Sequence, residues 1–373
     1  MNEIEKKDFI IDALKIKNEF IINNFNKIEK EKEKKFFSKK KIALIVDVDN
    51  WAYANIARNF KNNIKKYDFK IIPMSLIDGS PLLMWLLTED CNIIHFFCRG
   101  LPLSCFNPEL KKEVELCGMD FEVFKQKYIF SKTITTCVYD HLFLDKELDF
   151  TQLLFGNFKN YYVSSNILYS IYHDLDIKYK PSCVITDGVN LEKFYPINIK
   201  RFDNMDRKII IGWVGNSKWV NNSDDYKGIN TIIKPAIKEL QKEGYDIELM
   251  TSDSQDKIIP VDEMVHYYEN IDIYICASKC EGTPNPVLES MACGIPIITT
   301  NVGIVYDALG IKQRDFILEK RDKELLKDKL RFLLNNRNLF KQLSNENLKM
   351  IEEWDWKYIA KKFEKFIDNA KGY

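Results

Sequence analysis

The sequence lacks any apolar run that approaches the ~20 residues of a membrane-spanning helix, and its first residues lack the pattern of a secretory signal peptide. It also lacks net charge, because 55 Lys and Arg residues balance 55 Asp and Glu residues. Proteins that bind nucleic acid through phosphate attraction are normally basic, so no nucleic-acid partner is expected. We expect a cytoplasmic protein, with peripheral contact to the inner membrane surface as an open alternative.

The sequence has no CxxC pair, and its number of cysteines, nine, is odd. Several lie in apolar runs, as Cys98 and Cys276 do, where a thiol acts as a small core residue. We interpret the cysteines as free thiols in a reducing compartment. Cys276 and Cys280 could share a helix face, but no histidine lies near them in the sequence, so no metal site is expected there.

With 373 residues, of which 46% are hydrophobic and 29% charged, the chain has the composition of a globular protein of two domains. Residues 1–41 stand apart, since they hold twelve lysines against eight acidic residues, a net charge of +4. Five apolar residues in this segment recur at helical spacing, which predicts a helical extension: Ile10, Leu14, Ile21, Phe25 and Ile28. That helix could dock on its own domain, mediate self-association or contact an anionic membrane surface.

From residue 42 onward, apolar β-branched runs alternate with segments of helical character. The first series of predicted strands comprises residues 42–48, 69–75, 92–98, 133–139, 161–165 and 182–186. A polar segment, residues 187–207, is predicted to be a linker between domains. A second series of predicted strands follows it at residues 209–215, 246–252, 271–278, 295–300 and 315–319. Continuous apolar strands separated by helices predict parallel sheets wrapped by helices. The predicted fold is therefore α/β, with two Rossmann-like doubly wound domains that face a cleft.

The segment with the most chemical information is residues 281–303, EGTPNPVLESMACGIPIITTNVG, which lies between two predicted strands. Its prolines suit a helix start, and the helix is expected to end at Gly294. Backbone N–H groups of Thr283, Asn285 and Val287 are then expected to point out of the helix N-terminus toward phosphate or sugar hydroxyls. Glu281 precedes this helix and Glu289 lies inside it, so both carboxylates could reach one ligand.

This pattern, E-x7-E followed by A-C-G-x-P and T-x-x-G, resembles the donor site of glycosyltransferase family four, a retaining family with the GT-B fold. The resemblance covers residues 42–373, thinly in the first half. It implies a nucleotide-sugar donor, with Glu281 near the transferred sugar as a catalytic residue and Glu289 on the nucleotide ribose. It also implies domains over residues 42–200 and 201–353, with a final helix, residues 354–373, that crosses back to the first domain.

Other parts of the family pattern follow in order. Residues 184–196 resemble the interdomain segment, usually Asn-Gly-Val-Asp, but its first position is Asp187 here. In the family an arginine and the lysine of a Lys-Gly pair grip the donor diphosphate. Lys227 matches the lysine, whereas the arginine position holds Asn216; Lys218 could supply the charge or lie on the surface.

The acceptor half resembles the family less. Instead of a Gly-rich loop after the first strand the chain has residues 46–60, where Asn50 and Trp51 should face the cleft. Trp51 and Tyr53 could stack on an acceptor sugar or pack against the first helix, and Arg99, just past the third strand, is placed to meet a charged group.

The family often has a histidine at the end of the fourth strand, near the donor sugar. Here Tyr139 and Asp140 hold the usual His-Asp position. We assign His141 as a catalytic cleft residue, with a structural histidine as the alternative, and interpret His95 as a buried strand histidine.

The resemblance implies a transfer without cofactor or metal, in which a lysine and a helix dipole offset the charge of the leaving diphosphate. Asp47-Val48-Asp49 is formally a DxD run, but it lies inside and at the end of the first strand, so no metal site is expected. The acceptor could be a glycan, a lipid-linked molecule or a protein. Two alternatives stay open: a sugar-nucleotide isomerase of the same fold, and a non-catalytic partner subunit. A Rossmann dehydrogenase is disfavoured because no G-x-G-x-x-G follows any predicted strand.

Overall fold

The computed structural model describes residues 39–49, 51–77, 80–97, 100, 108–141, 160–175, 180–219, 225–256, 259–260 and 262–370. The predicted helical extension over residues 1–41 thus lies outside the described residues except for its last positions. None of the helices in these ranges combines the length and the apolar character that crossing a bilayer needs. The described cysteines are free thiols, as predicted for them: Cys91, Cys117, Cys137, Cys183, Cys276, Cys280 and Cys293.

The first half of the chain forms a six-stranded sheet in which all paired neighbours are parallel. Its strands are β1 (Lys41–Val46), β2 (Asp68–Pro73), β3 (Ile93–Phe96), β4 (Thr133–Val138), β5 (Tyr161–Val163) and β6 (Cys183–Val184). They lie side by side in the order β2-β1-β3-β4-β5-β6. Every residue of β3 is buried, as expected for a strand that is covered on both faces.

Helices cover both faces of this sheet. They are α1 (Ala52–Asn63), α2 (Pro81–Leu87), α3 (Pro108–Leu116), α4 (Phe121–Phe124) and α5 (Asn166–Leu175), with a 3-10 turn at Met74–Leu76 and a π-helical turn at Lys125–Phe130. Because successive residues of a strand point to opposite faces, Leu44 packs with α1 whereas Ile45 packs with α2 and α3. The Ser80 hydroxyl accepts from the Leu83 N–H, and Pro81 is the first residue of the helix. Both features favour the start of α2 at this position.

The second half forms a five-stranded parallel sheet. Its strands are β7 (Ile209–Gly215), β8 (Ile247–Asp253), β9 (Ile273–Cys276), β10 (Ile297–Thr300) and β11 (Ile317–Leu318), in the order β11-β10-β9-β7-β8. Each strand overlaps one of the apolar runs predicted for it. The prediction of two parallel, helix-wrapped sheets in tandem is therefore confirmed.

The helices of the second half lie between and after these strands. They are α6 (Lys234–Lys242), α7 (Met264–Tyr268), α8 (Asn285–Ala292), α9 (Val305–Ala308), α10 (Ile311–Arg314), α11 (Lys323–Asn335), α12 (Asn338–Met350) and α13 (Trp356–Asn369), with a π-helical turn at Ile229–Ile233 and 3-10 turns at Ile199–Asp203 and Ile351–Trp354. The last helix, α13, packs on the first half: the ring of Phe363 stacks on Phe60 of α1, with ring centroids 4.1 Å apart.

The chain passes between the two sheets at two places, and these places touch. Val189 forms a parallel bridge with Asp355, and its N–H donates to the Trp354 carbonyl at 2.9 Å. Residues 187–207, predicted as a polar linker, do connect the two sheets, but they also contact the second half. Their second part is anchored, because the buried carboxylate of Asp272 receives two hydrogen bonds from Arg207, at 2.6 and 2.8 Å, and one from Arg201 at 3.2 Å. A carboxylate that is 1% exposed needs such pairing.

Candidate functional site

Glu281 lies in the loop that joins β9 to α8, at the carboxyl end of the second sheet. The loop meets the first sheet directly: a Cβ on Gly282 would lie 2.4 Å from the Tyr139 carbonyl oxygen and 2.4 Å from Ser164 Oγ. Only glycine allows this approach. Glu281 is therefore held where the ends of β4 and β5 meet the second half of the chain.

Lys227 reaches Glu281 from the segment after β7. The next residue, Gly228, has a positive φ of 73°, and a Cβ there would lie 2.5 Å from the Ala277 carbonyl oxygen, so the Lys-Gly pair requires its glycine. Lys227 Nζ lies 2.5 Å from Glu281 Oε1 and 4.8 Å from the ring centroid of Trp219. Since both charged side chains are largely buried, this ion pair is shielded from water.

Lys227 and Glu281 both line a cavity of about 200 Å³. Its walls come from both halves of the chain, and they are Ala52, Tyr53, Ile56, Tyr139, Asp140, Asp187, Trp219, Lys227, Cys280, Glu281, Gly282, Thr283 and Asn285. We call it the smaller cavity. The predicted residues Lys227, Glu281, Thr283 and Asn285 are thus brought together in one place.

Asp187 is fixed in the wall of the smaller cavity by several hydrogen bonds. Its carboxylate accepts from the Tyr139 hydroxyl at 2.8 Å and from the Asn285 side-chain amide at 3.3 Å, and its N–H donates to Thr283 Oγ1 at 3.1 Å. Burial raises the pKa of the Asp187 carboxyl to about 7, although the hydrogen bonds from Tyr139 and Asn285 each lower it.

Glu289 lines a neighbouring cavity of about 450 Å³, which we call the larger cavity. Its other walls are Ala52, Asn55, Ile56, Arg58, Asn59, Asn62, Gly188, Val189, Asn190, Lys193, Phe194, Asn285 and Trp356. Glu289 Oε2 accepts from the Tyr268 hydroxyl at 2.6 Å, and burial raises the pKa of this carboxyl to about 7. Asn285 lines both cavities, so the two are neighbours along the start of α8.

One predicted ligand contact at this helix start needs correction. The N–H of Val287 was expected to point toward a ligand, but it donates to the Pro284 carbonyl at 2.8 Å, and the Val287 side chain is fully buried. Proline at position 284 closes a tight turn at the start of α8, and this turn uses that N–H.

The residues predicted near the diphosphate, Asn216 and Lys218, lie just after β7. Asn216 Oδ1 accepts from the Lys218 N–H at 2.9 Å and from Gln255 Nε2 at 3.0 Å, so it closes the turn that follows the strand. The Lys218 side chain is exposed, and neither residue lines the two cavities.

On the acceptor side, Asn50 and Arg99 lie outside the described residues. Trp51, at the start of α1, is 62% exposed, whereas Tyr53 packs edge-on against Tyr139 and lines the smaller cavity. His141 is exposed, and its Nδ1 lies 3.5 Å from Cys280 Sγ. The smaller cavity is lined by the two residues before it, Tyr139 and Asp140, and not by His141 itself. His95 is buried in β3 as predicted, and burial lowers its pKa to about 3.

Several residues at the site were not singled out in the sequence. The Tyr268 hydroxyl donates to the Glu289 carboxyl, and the Lys227 ammonium lies over the ring of Trp219. Arg321, just after β11, donates from Nε to the Ala277 carbonyl at 2.8 Å and also bonds the Asp225 carbonyl, which braces the segment before Lys227. Arg321 could have been identified from the sequence as a basic residue just after the carboxyl end of the last predicted strand. Asp49, of the formal DxD run, is ion-paired with Arg58.

One comparison with known proteins bears on the part of the chain that carries Glu281 and α8. The family described as "Glycosyl transferases group 1" matches residues 248–350, which include Glu281 and α8. The second half of the chain is thus similar to the group 1 glycosyltransferases. The chain is 23% identical over 216 residues to "Capsular polysaccharide biosynthesis glycosyltransferase CapM" of Staphylococcus aureus, a match that covers 50% of this chain and 55% of CapM.

A second curated relative comes from Campylobacter jejuni. It is "N,N'-diacetylbacillosaminyl-diphospho-undecaprenol alpha-1,3-N-acetylgalactosaminyltransferase", 24% identical over 213 residues, or 53% of this chain and 57% of the relative. The chain thus spans about half the length of the curated relatives that it matches. Among solved structures, Anabaena HepE in complex with UDP-glucose superposes with a TM-score of 0.61 at 9% identity, over 88% of this chain and 99% of HepE. This likeness confirms the predicted GT-B fold.

Proposed function

We propose that this protein transfers a sugar from a nucleotide-diphosphate sugar to an acceptor hydroxyl, with retention of the anomeric configuration. The observation that carries the proposal is the Lys227–Glu281 ion pair, 2.5 Å long, in the wall of the smaller cavity beside the start of α8. A cation and a carboxylate so placed suit the two ends of one reaction: a diphosphate that gains negative charge and a sugar that gains positive charge.

The proposed reaction breaks the bond between the anomeric carbon and the diphosphate oxygen. Lys227 offsets the charge on the leaving diphosphate, and Glu281 faces the sugar. The acceptor oxygen forms the new bond on the same face, and its proton passes to a leaving phosphate oxygen. In this scheme no side chain of the protein needs to form a covalent intermediate, and no metal ion or cofactor is needed.

Glu289 is proposed to bind the nucleotide. Its carboxyl lies in the larger cavity, where it could accept hydrogen bonds from the ribose hydroxyls, while Asn285 joins this cavity to the smaller one. The names of the two relatives, one of capsular polysaccharide biosynthesis and one with a diphospho-undecaprenol group, support a glycan or lipid-linked acceptor. A cytoplasmic protein with contact to the inner membrane surface would meet such an acceptor.

The test is a panel of UDP-, GDP- and ADP-sugars, with binding measured by calorimetry and slow hydrolysis followed by release of the nucleoside diphosphate. We expect one nucleotide class to bind and one of its sugars to be hydrolysed, with or without EDTA. The Lys227→Ala protein serves as the control and should bind that donor at least tenfold more weakly. Failure of the whole panel to bind would contradict the proposal.

The products separate the proposed transferase from its alternatives. Formation of an isomerised sugar nucleotide would favour an isomerase, and binding without any turnover would favour a non-catalytic subunit. Retention is read from the anomeric configuration of the released or transferred sugar by proton NMR, immediately after the reaction. An inverted product would contradict the proposed stereochemistry.

A further inference from the structure

Two departures from the family pattern in the first part of the chain prove to be in contact. Tyr139 holds the position where the family often has a histidine, and Asp187 holds the first position of the usual Asn-Gly-Val-Asp segment. In the structure the Tyr139 hydroxyl donates to Asp187 Oδ1 at 2.8 Å. Tyr139 and Asp187, which bond each other in the wall of the cavity that holds Glu281, form one unit.

Asp187 is held from three directions. Tyr139 lies at the end of β4, Thr283 in the β9–α8 loop and Asn285 at the start of α8, and each bonds a different atom of Asp187. Asp187 is only 2% exposed. A carboxylate restrained in this way has a set orientation before any ligand arrives, which is the condition for efficient electrostatic stabilisation.

The charge of Asp187 is poorly compensated. Both side chains that donate to it, Tyr139 and Asn285, are neutral, and Lys227, which lines the same cavity, is paired with Glu281 at 2.5 Å. An asparagine would fill the same space without the cost of burying a charge, since its oxygen would accept from Tyr139 and its amide would donate to Asn285 once the Asn285 amide had turned over. A group that lowers stability, where an isosteric neutral residue would not, is typical of a functional site.

We infer that Asp187, oriented by Tyr139, is a second catalytic carboxylate of the smaller cavity, whose charge stabilises the positive charge that develops on the transferred sugar. The inference rests on the proposed transferase function. Glu281 shares the Lys227 ammonium with the leaving diphosphate, whereas no cation among the described residues pairs with Asp187. Among the described residues, the other titratable groups that line the cavity with it are Tyr139, Asp140, Lys227, Cys280 and Glu281.

The principal test is Asp187→Asn in the full-length protein, with the donor found in the nucleotide-sugar panel. We expect kcat for donor cleavage at pH 8 to fall on the order of 10²-fold, the usual effect of losing one preorganised charged contact, while the nucleoside diphosphate Kd changes less than twofold. Asp203→Asn is the matched control, since Asp203 is exposed, bonds Lys341 and lines neither cavity. It should leave kcat unchanged.

A second variant distinguishes a catalytic charge from a structural one. Asp187 must be ionised to act, so kcat should fall as pH drops through about 7, the pKa to which burial raises this carboxyl. The Tyr139 hydrogen bond lowers that pKa, so Tyr139→Phe should move this acid limb of the pH–rate profile to higher pH. The limb should be missing in Asp187→Asn.

The outcomes are separable. If wild type cleaves a donor and Asp187→Asn cleaves it within twofold of the same rate, this inference is wrong and the proposed function stands. If Asp187→Asn loses turnover but melts well below wild type at pH 8, the residue is structural, since removal of a buried charge should raise the melting temperature there. If wild type binds no nucleotide sugar, the proposed function and this role of Asp187 fail together.

Discussion

Two buried tyrosine–carboxyl pairs lie side by side in this protein, and they differ in what holds them. Tyr139 bonds Asp187 in the wall of the smaller cavity, and Tyr268 bonds Glu289 in the wall of the larger one. Burial raises the pKa of both carboxyls to about 7. The chemistry of the two pairs is thus nearly the same.

The surroundings of the two pairs are different. Tyr268 and Glu289 belong to α7 and α8, both in the second half of the chain, so their contact needs only that half. Tyr139 ends β4 in the first half, and Asp187 lies where the chain passes from one sheet to the other. The Asp187 pair therefore depends on how the two halves meet, beside Glu281, whereas the Glu289 pair lies within the half that is proposed to bind the nucleotide. We expect the first to affect turnover and the second nucleotide affinity.

The largest effect is expected at Glu281, on the side of the Asp187 pair. Glu281→Gln should reduce turnover on the order of 10²-fold and leave nucleoside diphosphate affinity nearly unchanged, because the contact is made mainly in the transition state. Donor cleavage rates and calorimetric Kd values on one preparation give both numbers. A variant that is less stable but turns over normally would show that Glu281 acts on the fold of its loop instead.

Glu289→Ala should show the opposite behaviour. Loss of the carboxyl removes hydrogen bonds to the nucleotide that are worth ~1.5–3 kcal/mol, so the Kd for free nucleoside diphosphate should rise roughly tenfold to a hundredfold. The loss of affinity should be the same for the nucleoside diphosphate and for the nucleotide sugar. Calorimetry with the nucleoside diphosphate alone measures this Kd. Wild-type affinity in Glu289→Ala would contradict the expectation that the Glu289 pair acts on nucleotide affinity and the Asp187 pair on turnover.

The pH dependence of stability should reveal the feature that both pairs share. Because each carboxyl has a raised pKa when folded, the folded state keeps protons between about pH 4 and pH 7 that the unfolded chain has lost. These groups therefore lower the free energy of unfolding as pH rises through that window, and the loss is complete above pH 7. Asp187→Asn and Glu289→Gln should each flatten the profile measured by chemical denaturation. An unchanged profile would mean that the carboxyls titrate normally.

The smallest effect is expected from deletion of residues 1–38. The first sheet begins at Lys41, and the described residues that form the two pairs and line the two cavities all follow it in the sequence. Nucleoside diphosphate affinity should therefore stay within twofold of the full chain, while oligomer size or vesicle binding could change. A truncated protein that is folded by circular dichroism but binds no nucleotide would contradict this.

Much of the site could be predicted from local pattern. Glu281 and Glu289 are identified by their spacing, and Lys227 by the glycine that follows it, because Gly228 is required by a positive φ and a close approach to Ala277. Tyr268 could not be identified in this way. It is one of many aromatic residues near a strand, and only its hydrogen bond to Glu289 distinguishes it from a core residue.

The parallel sheets could be predicted from the apolar pattern, since continuous apolar strands are stable only when helices bury both faces. The loop and helix that carry Glu281 and Glu289 could be predicted too, because their turn residues act over a few neighbouring positions. That Tyr139 lines the cavity in preference to His141, and that it bonds Asp187, is visible only in the folded chain. These contacts join residues distant in sequence, across the place where the two sheets meet, and periodicity carries no information about which side chain of one strand end meets which residue of another.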